Sequence, residues 1–358
     1  MLNIAISVLR NSSGPILITG HTGFKGTWLT LLLKQLGIDV VGYSLPAIKD
    51  SMYQRLNREG AITEFFGDIN NKEELEQFIK NTKPSFVMHL AAQPLVLESY
   101  RNPAKTFRTN VMGTINVIEA ARASQNLKTI GIVTTDKVYR NQNSGKRFIE
   151  SDPLQGKDPY SASKVATESV VFAWQNIQKI EGGPNLVSLR AGNVIGGGDF
   201  AKDRIVPDLI RGMISQEIVQ IRNMDSTRPW QHVLDPLLGY LAAIARPAET
   251  ATLSSFNFGP DESSYPVSKL LEIVQSNFPN RIKTKYIAGN SDRESKYLDL
   301  DSSLSKENLN WTPAWTQEQA IIDTFRWWVD VLEKDRCPFE NSLANIERLL
   351  KFHEIEKI

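Results

Sequence analysis

The segment DPYSASKVATE carries Tyr160 and Lys164 four residues apart, a spacing that puts both side chains on one face of a helix. A free phenol ionises near pH 10, so a tyrosinate at neutral pH needs a cation close by. Lys164, one turn further on, can supply that charge. The pair then forms a base able to take the proton of a sugar or alcohol hydroxyl while hydride leaves the same carbon. By itself, Tyr and Lys at this spacing also fit a plain helix surface. Thr135, at the end of the predicted strand IGIVTT, and a glycine-rich turn far upstream turn the reading toward chemistry.

That turn lies in ILITGHTGFKGTWLTLLLKQLG (16–37), where Gly20, Gly23 and Gly26 recur every third position between a short apolar run and a leucine-rich helical pattern. The first glycine permits the tight turn, the second lets backbone approach a diphosphate, and the third lets helix pack on strand. The helix start offers free N–H groups and a positive dipole end to the phosphates. Thr22, Phe24 and Lys25 line the same turn. A dinucleotide, NAD, is the expected cofactor, and its positive ring would add to the field at Tyr160. Asp68, beside Ile69 after a connection between the second and third strands, can accept from an adenine amino group. Leu90, Ala91 and Ala92, in HLAAQP, keep the sheet edge clear for the cofactor, with Thr109 nearby. Asn110 either ties a strand to a helix through its amide or sits on a helix surface. Position 44, where such folds usually carry an acid for the ribose hydroxyls, is Ser44, so this strand does not secure NAD over NADP.

Around these residues the first half alternates candidate strands (16–19, 40–43, 86–91, 130–135, 186–191) with helical patterns near 25–36, 72–80, 104–124 and 160–180. This predicts an α/β fold, a doubly wound parallel Rossmann-type sheet. A smaller, discontinuous C-terminal substrate-binding domain follows. Residues 1–192 are assigned to the nucleotide-binding domain, with returning segments near 230–260 and 316–330; 193–229, 261–315 and 331–358 form the other. The first residues read as a short arm before the first strand. With 41 basic and 40 acidic side chains the net charge is +1, so no bulk field draws the chain to nucleic acid or membrane. The single cysteine, Cys337, leaves no intramolecular disulfide and no cysteine-built metal site, and fits a cytoplasmic protein. His21, His89 and His232 are not spaced as a metal set, and FRWWVDVL (325–332) reads as core.

The glycine turn, Thr135 and Tyr160-x-x-x-Lys164 together resemble the extended short-chain dehydrogenase/reductase superfamily. TGHTGFKGTWL, HLAAQPLV, TTDKVY, RAGNVIGGGDFAKDRIVPD, RPWQHVLDPLLGYL and NFGP narrow the likeness, over roughly residues 15–330, to CDP-glucose 4,6-dehydratases. The resemblance implies an internal redox cycle: oxidation at sugar C4, loss of water across C5 and C6, and return of hydride to C6. It makes Asp136 the acid and Lys137 the base of the elimination. Burial would keep Asp136 protonated and Lys137 neutral, whereas a direct ion pair between them would do the reverse. It also assigns the substrate to Gln93, Asn193, Arg204, Arg228 and Glu294, although Arg293 stands where the family often has histidine. It further implies a homodimer through a four-helix bundle and a product used for dideoxysugars of bacterial surface polysaccharides.

Two other readings stand beside this one. Another NDP-sugar dehydratase, or an NDP-sugar 4-epimerase or reductase, would keep the glycine turn, Tyr160 and Lys164; the epimerase or reductase needs no acid–base pair after Thr135. A regulator that senses the cofactor without catalysis would commonly lack the Tyr/Lys pair.

Overall fold

The computed structural model describes residues 2–247, 255–287 and 296–357. Its centre is a sheet of seven parallel strands: β1 (Ile16–Thr19), β2 (Val40–Ser44), β3 (Thr63–Phe66), β4 (Phe86–His89), β5 (Thr129–Val133), β6 (Asn185–Ala191) and β7 (Ser255–Phe258), in the order β7-β6-β5-β4-β1-β2-β3. The order reverses between β1 and β4, the crevice where such sheets take ligands. Strand side chains alternate between the faces and both faces are covered. Ile16, Ile18, Phe86 and Met88 join Trp28, Leu32 and Leu237 on one side. Leu17, Val87, Ile130 and Ile132 join Ile79, Val117 and Val171 on the other. That is why these strands read as continuous apolar runs.

Five of the seven strands were legible from such runs. β3 (TEFF) is an edge strand with three exposed residues, and its short polar sequence carries no periodic signal. β7 lies in the irregular second half. With β3 in place, Asp68 stands two residues past the end of the third strand. The N-terminal residues are not an arm. Leu2–Arg10 is a helix whose Leu2, Ile6 and Leu9 are buried, a helical stripe in a segment with no acidic residue in its first turn. The helix expected over 104–124 is broken into Pro103–Phe107, a π turn at Arg108–Met112 and Gly113–Arg122, preceded by a helix at Val96–Arg101.

After β6 the chain leaves the sheet. Helix Ile205–Ser215, the short antiparallel pair Thr227–Arg228 with Tyr265–Pro266, helix Val267–Asn277 and the parallel pair of Ile218–Ile221 with Lys283–Tyr286 lie outside the central sheet. Helix Leu234–Ile244 returns beneath the sheet, every residue of it buried. Among the described residues, no helix is long and apolar enough to cross a membrane.

Candidate active site

The glycine turn has the shape a diphosphate needs. Gly20 has φ +79°, and a Cβ there would lie 2.8 Å from the Ala91 nitrogen. A Cβ on Gly26 would sit 2.2 Å from the Gly20 carbonyl oxygen, so the third glycine lets helix Phe24–Gln35 start against the turn. Gly23 is the N-cap and has no side chain to occupy the first-turn N–H groups; a Cβ there would meet only the Gly20 carbonyl, at 3.3 Å. These features fit NAD. Thr22 and Ser44 seal the far side: the Thr22 hydroxyl donates to the Leu45 carbonyl (2.9 Å) and lies 2.8 Å from the buried Ser44 hydroxyl. Asp68 is exposed and accepts from the Asn70 backbone N–H at 2.9 Å. Ile69 is buried against Gly113. Leu90, Ala91, Ala92 and Thr109 are half-buried along the crevice side of β4 and the π turn.

Asn110 resolves to the tying role. Its Oδ1 accepts from the Gln93 N–H (2.8 Å), and its Nδ2 donates to the Gln93 carbonyl (3.1 Å) and the Ser163 hydroxyl (2.9 Å). Gln93 itself is drawn away from a substrate. Its amide nitrogen donates to Thr106 (2.9 Å) and the Leu95 carbonyl (3.1 Å), while its oxygen accepts from the Leu95 N–H (2.6 Å).

Helix Pro159–Glu181 begins at an Asp158 cap bonded to the Ser161 N–H, with Pro159 in its first turn. It presents Tyr160 and Lys164 at the carboxyl end of β5. The Lys164 ammonium donates to the Val133 carbonyl at 3.0 Å, and burial brings its pKa down to about 8 against the charge of Glu168. Burial pushes the Tyr160 hydroxyl up to about 12; the Arg204 charge and a hydrogen bond with Thr135 oppose this, while Asp136 adds to it. The field at the phenol thus comes from Arg204, which the sequence placed only at the substrate.

Thr135 caps a single 3-10 turn, Asp136–Val138, and accepts from the Lys137 N–H. Asp136 is 1% exposed. Its Oδ1 accepts from the Thr135 hydroxyl at 3.0 Å, and its Oδ2 is buried without a partner. Burial raises the pKa of this carboxyl, with Lys137, Thr135, Arg228 and Lys25 opposing. Among the described residues, no ion pair closes onto it. Lys137 is half-buried beside it.

Lys25, expected at the phosphates, sends its ammonium inward to donate to the Tyr240 hydroxyl at 3.2 Å. Burial and the Arg204 charge bring it down to about 7. Arg204 caps helix Ile205–Ser215 and pairs with Asp199 at 3.5 Å. Arg228 is buried and donates to the Thr227 carbonyl, and half-buried Asn193 offers its carbonyl to Gln231. Glu294 lies outside the described residues. Sequence reasoning missed Tyr240, which arrives from a helix with no motif spacing to Tyr160. It also gave no role to Glu168, although Glu168 continues the four-residue spacing of Tyr160 and Lys164.

Comparison with known proteins agrees with this geometry. The chain is 39% identical over 321 residues to CDP-glucose 4,6-dehydratase of Salmonella typhimurium, covering 87% of this chain and 89% of that protein. Its fold matches an epimerase from Methanothermobacter thermautotrophicus (TM-score 0.81, 21% identity, 92% and 96% of the two chains). It also matches dTDP-glucose 4,6-dehydratase from Bacillus anthracis in complex with NAD (TM-score 0.75, 19% identity, 91% and 100%). The NAD dependent epimerase/dehydratase family model matches residues 16–259. With the glycine turn, the Tyr/Lys helix and the seven-stranded sheet all in place, the chain belongs to the NAD dependent epimerase/dehydratase family.

Proposed function

We propose that this protein is a lyase converting CDP-glucose to CDP-4-dehydro-6-deoxyglucose and water. The observation that carries this reading is the Thr135-Asp136-Lys137 turn facing Tyr160, because an epimerase of the same family needs the tyrosine and lysine but no elimination pair. The likeness to the Salmonella typhimurium enzyme supports the cytidine nucleotide. NAD, when bound, supplies the hydride acceptor for C4 and the donor for C6, so no reduced cofactor is released. Tyr160 takes the C4 hydroxyl proton with the Arg204 charge opposing the rise that burial imposes on its phenol, and Lys164 is held one turn along at the Val133 carbonyl. The resulting 4-ketone acidifies C5–H. Lys137 removes that proton, the C–H electron pair forms the C5–C6 double bond, and the C6–O bond breaks as Asp136 protonates the departing hydroxyl. The raised pKa of Asp136 suits a proton donor.

Asn193, Arg204 and Arg228 hold the substrate diphosphate, where a guanidinium is the natural bidentate partner, and Glu294 the nucleotide. The discontinuous segments after residue 192 form the substrate domain. A homodimer forms through the face that carries Met112 and Phe172, 50% and 64% exposed. The enzyme works in the cytoplasm and its product feeds deoxysugars of surface polysaccharide.

Mass spectrometry after incubation with CDP-, dTDP- and UDP-glucose and GDP-mannose, each with catalytic NAD, tests the proposal. Loss of one water from CDP-glucose alone is expected. Water loss from another nucleotide overturns the cytidine assignment, and inversion at C4 with unchanged mass overturns the dehydratase.

A further inference from the structure

Glu168 sits two turns beyond Tyr160 on the catalytic helix and is 6% exposed. Its Oε1 accepts from the hydroxyls of Thr134 (2.5 Å) and Ser188 (2.6 Å) and from Arg190 Nε (2.9 Å), and its Oε2 accepts from Arg190 Nη2 at 2.8 Å. Arg190, 4% exposed, extends the chain. Its Nη1 donates to the Tyr139 hydroxyl at 2.9 Å and to the Glu150 carbonyl at 3.0 Å. The Tyr139 hydroxyl donates onward to Asn257 Oδ1 at 2.6 Å, on β7. Thr134 immediately precedes Thr135, and Tyr139 lies two residues past Lys137. One buried carboxylate and one guanidinium therefore grip both ends of the elimination turn and anchor them to the helix that holds Tyr160 and Lys164.

We infer that Glu168, Arg190 and Tyr139 are positioning residues for the elimination half of the reaction, holding Asp136 and Lys137 in register with a substrate already engaged by Tyr160. This rests on the dehydratase reading above. Tyr160 and Lys164 are themselves placed by the Asp158 cap and the Val133 carbonyl, so loosening the far end of the turn reaches C5 and C6 chemistry and spares C4. Burial alone would raise the Glu168 pKa, but the Arg190 charge and the hydrogen bonds bring it below the usual range, so the grip is charged on both sides.

Tyr139→Phe removes only the hydroxyl linking Arg190 to Asn257, and is the test where Glu168→Gln fails to fold. With CDP-glucose and NAD, Tyr139→Phe is expected to lower kcat about tenfold, the loss of one charge-assisted hydrogen bond, with KM little changed. The near-ultraviolet absorbance of reduced nicotinamide should build up during turnover, because oxidation then outruns elimination. In the substrate-free enzyme, amide hydrogen exchange over 135–139 should quicken while that of 160–164 holds. An unchanged kcat, a fall in kcat with no build-up of reduced nicotinamide, or unchanged exchange over 135–139 overturns the inference. Wild-type enzyme that removes no water from CDP-glucose overturns instead the reading on which it rests.

Discussion

Under the proposed mechanism, Asp136 is the residue on which dehydratase and epimerase chemistry part. Its carboxyl is buried, one oxygen has no partner, and its pKa is pushed up by desolvation. An uncharged amide of the same shape therefore fits the pocket without leaving an unpaired buried charge. Asp136→Asn is expected to fold with an unchanged or higher melting temperature and to keep C4 oxidation. It should lose water formation by about 100-fold or more, the usual scale of a general acid. Single-turnover mixing followed by optical absorbance and product mass separates those steps. A variant that still eliminates at the wild-type rate would leave Lys137 or solvent as the proton donor. The pair stands next to Thr135 in the sequence, and the family resemblance is what proposes its roles. That no ion pair closes onto Asp136 was not visible, since it depends on where the Thr135 hydroxyl and the wall at Gly192 and Pro229 stand.

Among the elements, the glycine turn divides into a position that builds the fold and one that serves the ligand. A methyl on Gly26 collides with the Gly20 carbonyl oxygen at 2.2 Å, a backbone atom that cannot swing aside. Gly26→Ala is therefore expected to cost about 1–3 kcal/mol or more, read as a lowered urea midpoint. Gly23→Ala meets only one atom, at 3.3 Å, and should fold near normally while weakening NAD several-fold by calorimetry. Equal stability losses in the two variants would contradict this division. The spacing of the three glycines was plain in the sequence, but which of them tolerates a methyl follows from the angle at which the helix leaves the turn. The π turn at Arg108–Met112 was likewise illegible: Asn110 is turned toward both Gln93 and Ser163 by a local change of period that no side-chain pattern announces.

At the scale of the whole molecule, two properties are exposed to test. Ala162, Ala166, Ser169, Phe172 and Ala173 lie on one half-buried to exposed stripe of helix Pro159–Glu181 at helical spacing. If the proposed homodimer uses this stripe, Phe172→Glu lowers the mass seen by light scattering to that of a monomer, and an unchanged mass overturns the proposal. Stability should also carry a histidine signature. Burial, with a lesser push from Arg348, brings His232 down to about 3; its ring stacks on Trp315 at 4.2 Å and meets Trp28 edge-on. A histidine depressed in the folded state contributes stability that is present above its unfolded value near 6.5 and is lost as pH falls from there toward 3. The slope is about 1.4 kcal/mol per pH unit. Asp136 and Asp235, raised by burial, act in the opposite sense, so the signature is a difference. The fall in urea midpoint between pH 7 and 5 should be smaller in His232→Phe than in wild type; equal falls would mean that His232 becomes charged without unfolding.

The proposed roles of Asp136 and Lys137 rest on the family resemblance; the sequence by itself determined the parallel α/β sheet, the cofactor turn and the shared helix face of Tyr160 and Lys164. Each is written in local spacing: apolar runs for buried strands, glycines for close approach, four-residue intervals for one helix face. Only the tertiary structure decided that Lys25 reaches Tyr240, that Arg204 supplies a charge at Tyr160, that Gln93 is spent on its own loop, and that Glu168 and Arg190 join the helix to the elimination turn. Those relations link residues far apart in the chain, and their energies depend on burial and on which polar groups remain to be satisfied once strands β5, β6 and β7 lie side by side.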